Sequence, residues 1–176
     1  LLSVSSELNT SVYQYSAEGW LELVTLNGGD AGELTMSVRE HITAEGQPLY
    51  EEHDEDGDGA FDMSYTYMYD EAGMLTMIGY DSDLDGVIDF DMHLTYNEAG
   101  QHIVTESTGA GLTEPVLDRW SYRYDEAGLL IEESYDANAD DDLDHVITYS
   151  YDEAGRLSTV ELVEGESEVT TSYVYE

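Results

Sequence analysis

Cysteine is absent from the 176 residues, and so is lysine. The positive side chains are Arg39, Arg119, Arg123 and Arg156, set against 41 Asp and Glu, for a formal charge of −37. Without cysteine there is no disulfide, so an exported domain must draw its stability from another source, and bound metal is the natural one. With so little positive charge the surface repels polyanions, which excludes nucleic acid and anionic membrane as partners. Long apolar runs are missing too, so the sequence predicts no transmembrane helix and no membrane insertion. Such a chain repels itself unless cations neutralise it, as in calcium-rich surroundings outside the cell or in a high-salt habitat. The acids stand at ordered positions, which favours the first.

What the chain does have is a period. Glycine recurs at Gly19, Gly46, Gly73, Gly100, Gly128 and Gly155, at spacings of 27, 27, 27, 28 and 27, each time after Ala-Glu or Glu-Ala. A fixed period of this length is the signature of a repeat architecture. Four residues before the glycines stand Tyr15, Ile42, Tyr69, Tyr96, Tyr124 and Tyr151, and six before them Tyr13, Glu40, Tyr67, Leu94, Tyr122 and Tyr149. The residues between are mostly polar. Alternation of period two predicts a strand with one aromatic face. A second, less regular strand follows each glycine. The expectation is an all-β fold: an elongated array of about six β-hairpin repeats of 27 residues, forming one domain over residues 1–176, a solenoid or twisted sheet. A single hairpin is marginal in water, so stability must come from stacked neighbours, and the tyrosine ladder reads as packing rather than as a ligand surface.

The segments Tyr67-Met-Tyr-Asp-Glu-Ala-Gly-Met-Leu75, Tyr122-Arg-Tyr-Asp-Glu-Ala-Gly-Leu-Leu130 and Tyr149-Ser-Tyr-Asp-Glu-Ala-Gly-Arg-Leu157 resemble the YD repeats of the RHS family. The resemblance implies β-hairpins that spiral into large sheets, as in bacterial surface and toxin-delivery proteins and animal teneurins. Two features depart from it. An acidic loop joins the strands, and six units are few for the closed shell of large RHS proteins.

Three acidic loops share one spacing. Asp54, Asp56, Asp58, Gly59 and Asp62 form loop 1; Asp81, Asp83, Asp85, Gly86 and Asp89 form loop 2; Asp136, Asn138, Asp140, Asp141 and Asp144 form loop 3, with Asp141 in the place of glycine. Side-chain oxygens at positions 1, 3, 5 and 9, with the backbone carbonyl of position 7 (Ala60, Val87 or Asp142), suit a hard cation the size of Ca2+. Position 12 is Tyr65, Met92 or Ile147 on an expected strand, not the glutamate of an EF-hand. The DxDxDGxxD pattern between strands is similar to the calcium loops of integrin-type propeller blades. Carboxylates about 4 Å apart repel by roughly 1 kcal/mol in water and about 4 at an effective dielectric of 20, so a divalent ion is expected among them. Magnesium fits less well because it prefers a small octahedral shell and keeps its waters. The other loops lack the spacing. Asn27, Gly29 and Ala31 occupy the ligand slots before Gly32, and neither the stretch from Glu106 to Pro115 nor the Glu164-Gly165-Glu166 turn carries it. Metal is expected in three units, along one rim.

No Ser-His-Asp arrangement, phosphate loop or HExxH supports catalysis, so the chain is not expected to be an enzyme. His53 and His145 flank the loops outside the ligand spacing and read as surface strand residues. The chain starts and stops at nearly the same phase of the repeat, which leaves both terminal strands as open edges. These observations predict an extracellular or cell-surface, bacterial, calcium-stabilised structural protein. It would be a filament subunit assembling head to tail, or the stalk of a surface adhesin within a longer chain. The alternative is a calcium-dependent module that binds glycan or protein through aromatics such as Trp20 or Trp120.

Overall fold

In the Asp70-Glu71-Ala72-Gly73 turn, Gly73 donates its N–H to Asp70 O and takes a φ of 80°. A left-handed residue closing such a turn is the glycine of a G1 bulge. Accordingly, the pairing of the flanking strands shifts register between Met68 and Tyr69. The side chain at the first turn position fixes the bend. Asp70 Oδ1 accepts the N–H groups of Ala72 and Met74 at 2.8 and 2.9 Å, and Asn97, Asp125 and Asp152 repeat this. Thr43 does the same through its hydroxyl. Only residues with a short side-chain acceptor can supply this bond, which explains why Thr43, Asp70, Asn97, Asp125 and Asp152 open these turns.

The computed structural model describes residues 2–5, 9–15, 20–27, 34–109 and 118–175, with side chains described at residue 21 and over 37–109 and 118–175. These residues form strands and turns, with no helix long and apolar enough to cross a membrane among them. The chain divides into two compact units, Leu1–Asp91 and Met92–Glu176. The first holds β1 (Leu2–Ser5), β2 (Asn9–Tyr15), β3 (Trp20–Asn27), β4 (Leu34–Ile42), β5 (Pro48–Asp54), β6 (Met63–Tyr69) and β7 (Leu75–Asp81). β8 (Phe90–Tyr96) spans the division. The second holds β9 (His102–Gly109), β10 (Asp118–Tyr124), β11 (Leu130–Asp136), β12 (His145–Tyr151), β13 (Leu157–Glu164) and β14 (Ser167–Ser172). In each unit the strands lie in chain order and pair antiparallel with their sequence neighbours. The fold is all-β, built from successive hairpins, as the period predicts.

Each unit has an aromatic and a polar face. On the aromatic face, Tyr65 of β6 stacks on Tyr80 of β7 with ring centroids 5.2 Å apart, and His53 of β5 meets Tyr65 edge-on at 5.3 Å. In the second unit Trp120, Tyr135 and His145 form the equivalent row, at 4.6 and 5.0 Å between neighbours. On the polar face the arginines pair across strands with their register partners: Arg39 with Glu52, Arg119 with Glu106 at 3.0 Å, and Arg123 with Glu132 at 2.9 Å. Such pairs contribute roughly 0.2–1 kcal/mol each. Among the described residues Met77 is the one buried apolar side chain. Cohesion therefore rests on ladders and half-buried cross-strand pairs rather than on a thick core.

The tyrosines four residues before each glycine do more than pack. The β5–β6 register runs as far as Tyr50–Thr66, and beyond it Tyr69 donates its hydroxyl to Pro48 O at 2.9 Å. Tyr124 reaches His102 O, Tyr151 reaches Leu130 O and Tyr175 reaches Leu157 O in the same way. Each hydroxyl caps a carbonyl just past the end of a ladder, where the bulged turns part the strands.

Candidate metal loops

The three acidic loops join antiparallel strands or follow one directly, without flanking helices. Loop 1 connects β5 to β6, loop 2 follows β7, and loop 3 connects β11 to β12. Their backbone networks are the same. The first aspartate accepts the N–H of position 6: Asp54 from Gly59 at 3.0 Å, Asp81 from Gly86 at 2.9 Å and Asp136 from Asp141 at 2.8 Å. Position 3 accepts from position 5, and position 5 from position 7. The ninth residue closes the loop twice. Its carboxylate takes the N–H of position 2 (Glu55, Ser82 or Ala137), while its own N–H donates to the carbonyl preceding the loop (His53, Tyr80 or Tyr135). The 1-3-5-9 spacing thus works first as a self-templating turn: short acidic side chains serve backbone donors that a bend of this length would otherwise leave unpaired.

Burial differs sharply along each loop. Asp54 and Asp136 are 1 % exposed and Asp81 is 7 % exposed, whereas positions 3 and 5 are open to solvent in all three loops. One carboxylate oxygen each from Asp54, Asp56 and Asp58 lies within 4.8 Å of the others, and the same holds for Asp81, Asp83 and Asp89. Asp62 and Asp85 stand outside these groups, engaged with the N–H groups of Glu55 and Val87. In loop 3 no three acids converge that closely among the described residues. Asn138, Asp140, Asp142 and Asp144 instead line one open hollow of about 360 Å³ with Leu143 and Gly165. Asp54, Asp56 and Asp58 in loop 1, and Asp81, Asp83 and Asp89 in loop 2, are the groups that could hold a hard cation there.

Local hydrogen bonding sets the ionisation of two of these acids. The Ser82 hydroxyl, followed by its N–H, holds the Asp89 carboxyl below the usual carboxylate range. Burial alone would raise Asp136, but N–H groups of Asp141, Asp140, Asn138 and Ala139 outweigh it and bring that carboxyl down. Both groups are therefore carboxylates at neutral pH.

Three contributors escape a reading of the ligand spacing. Position 4 is left-handed in every loop, with Gly57 at φ 77°, Leu84 at 60° and Ala139 at 52°. Position 8 is apolar (Phe61, Ile88, Leu143) and folds back on the neighbouring strand in loops 1 and 2. Phe61 lies under the Arg39 guanidinium at 4.7 Å, and Ile88 covers Gly79 so closely that a Cβ there would lie 2.6 Å from Cδ1. Arg119 of β10 reaches loop 3 and binds Asp141 at 2.9 Å. The repeated apolar position 8 was the one signal in the sequence for the second of these. His53 and His145 sit in the aromatic rows, half-buried, rather than as bare surface residues, because the loop register turns them toward Tyr65 and Trp120. Trp120 packs against both Tyr135 and His145. The side chain of Trp20 and the turn around Gly29, Ala31 and Gly32 lie outside the described residues, as does most of the stretch before Pro115.

No protein-family profile matches the chain, and no curated protein matches it. Among solved structures it is similar to TcdB2-TccC3 without the hypervariable C-terminal region, with a TM-score of 0.59 and 19% identity over 96% of this chain and 10% of that one. It is also similar to a porin-like protein from Bacteroides uniformis ATCC 8492, with a TM-score of 0.53 and 13% identity over 97% of this chain and 80% of that one. The chain spans about a tenth of the first of these. At such identities the likeness is one of fold alone.

Proposed function

We propose that the chain is a calcium-stabilised structural repeat protein of the YD-repeat type, working outside the bacterial cell as a filament subunit or as the stalk of a surface adhesin. The observation that carries this reading is the convergence of Asp54, Asp56 and Asp58, and of Asp81, Asp83 and Asp89, on loops whose backbone is already folded around them. The backbone N–H groups that these carboxylates accept hold like charges close together, and a divalent cation turns that repulsion into attraction. Calcium that binds only the folded state adds about 2.7 kcal/mol per site at a hundredfold excess over Kd. That is a large share of the net stability of a domain whose core is this thin. The structural part of the proposal is supported by the repeat itself, whose side chains are spent on turns, ladders and caps. β14 is exposed along its length and, among the described residues, pairs with β13 on one side. An exposed strand of this kind is a template for pairing with a strand of a second copy.

The test is a thermal melt in millimolar calcium, in millimolar magnesium and in excess chelator, followed by isothermal titration with calcium. The midpoint should fall on chelation, return with calcium and return only in part with magnesium. Equal midpoints in all three would remove calcium from the reading. Velocity sedimentation over a range of concentrations checks the edge: growth beyond a monomer in calcium supports assembly, and a monomer throughout leaves only the stalk.

A further inference from the structure

Loop 3 departs from its two counterparts where their charge is most crowded. Asp141 replaces the glycine of position 6, and Asn138 replaces the aspartate of position 3. The backbone nevertheless follows the same path. Asp141 takes a φ of 69° and donates its N–H to Asp136, as Gly59 and Gly86 do to Asp54 and Asp81. Aspartate tolerates that conformation better than most residues but still at some cost, so its side chain must return something. Asp141 Oδ1 accepts Nη1 of Arg119 at 2.9 Å, while Nε of the same guanidinium is fixed by Glu106 at 3.0 Å. Arg119 is also the register partner of Asp136, the buried first aspartate of the loop. Within the loop, Asn138 Nδ2 donates to Asp140 Oδ2 at 3.0 Å, where a second carboxylate would repel.

We infer that Arg119 is a tethered counter-ion for loop 3. Its guanidinium, held by Glu106 and bound to Asp141, supplies from the chain the positive charge that loops 1 and 2 take from solution. Arginine suits the task because it is always charged and its planar fork bridges two carboxylates at once. The hairpin β11–β12 consequently keeps its bend without metal, and a divalent cation entering loop 3 meets a fixed positive charge. The affinity part of this inference rests on the calcium reading above; the counter-ion part does not.

Two measurements separate them. In chelator, hydrogen exchange should find the N–H groups of Ala137, Asp141 and Asp144 protected in the native protein. They should exchange about tenfold faster in Arg119→Gln, with Arg119→Lys between, while the Gly86 N–H of loop 2 does not respond. Should Arg119→Gln fail to fold, Asp141→Asn removes the same ion pair from the exposed end and should speed the same amides. Loop 3 amides that are unprotected in the chelated native protein, or unchanged in the variants, would overturn the counter-ion. In calcium titrations, native loop 3 should be the weakest site, and Arg119→Gln should tighten it on the order of tenfold, the Coulomb effect of one unit charge at several ångströms in a mostly aqueous site. Three equal sites indifferent to Arg119 would overturn the affinity part. If calcium binds nowhere, the calcium reading fails and the exchange data alone decide the role of Arg119.

Discussion

The hydroxyl of Tyr151 donates a 2.7 Å hydrogen bond to the carbonyl of Leu130, two residues past the last register pair of β11 and β12, Glu132–Thr148. The bulge between Ser150 and Tyr151 turns β12 away at this point, and the side chain supplies the bond that the ladder no longer makes. The same relation holds for Tyr69 with Pro48 and for Tyr124 with His102. A phenol is needed because it combines a flat apolar body with a donor at the tip.

Tyr151→Phe should therefore cost about 1 kcal/mol, the net worth of one hydrogen bond, with somewhat more if Leu130 O is left dry. Chemical denaturation checks this. An unchanged midpoint would mean that water replaces the hydroxyl without loss.

The fit of Ile88 over Gly79 predicts that a better strand former is worse here. Gly79→Val should destabilise by about 1–3 kcal/mol, the range for overpacking, because Cδ1, Cγ1 and Cγ2 of Ile88 stand 2.6, 3.2 and 3.4 Å from where a Cβ would lie. Ile88→Ala in the same chain should recover part of the loss. Additive effects in that double variant would show that the two residues do not meet.

Backbone conformation alone separates Leu84 from Gly86 in loop 2. A Cβ at Gly86 meets nothing within 4 Å, so Gly86→Ala should cost only the left-handed penalty of about 1–2 kcal/mol. Leu84, already at φ 60°, bears that penalty, and Leu84→Gly should be neutral or stabilising by up to about 1 kcal/mol once the entropy of glycine is set against it. Thermal midpoints of the two variants, moving in opposite directions or with only Gly86→Ala lower, meet the expectation.

Glu40 and Glu51 face each other across β4 and β5. Burial pushes the Glu40 carboxyl above its ordinary value, and the Glu51 charge adds to the shift. A group raised in the folded state favours folding below its unfolded pKa, and that contribution is lost as pH rises through the folded value. Asp136, held low, acts in the opposite sense: its contribution is present above the unfolded pKa and lost as pH falls through the folded value. Glu40→Gln should accordingly raise stability at pH 7 by roughly 0.5 kcal/mol, within the range of a cross-strand pair, and change little below about pH 4. A gain of equal size at both pH values would point to packing rather than charge.

Much of this was legible from the chain alone, for a physical reason. The Asp-Glu-Ala-Gly turns, the alternation in β6 and β12 and the spacing of Asp54, Asp56 and Asp58 are each settled within a few residues, by a positive φ, a pleat or an Asx bend. A repeat of 27 residues states each of them several times over. Tertiary structure alone decided which residues meet across strands: Tyr151 with Leu130, Ile88 with Gly79, His145 with Trp120, and Arg119 with Asp141. Those encounters depend on register, and register here depends on bulges that shift one strand past another at the turns closed by Gly46, Gly73, Gly128 and Gly155. A period of two tells which face a side chain takes but not which neighbour it finds there.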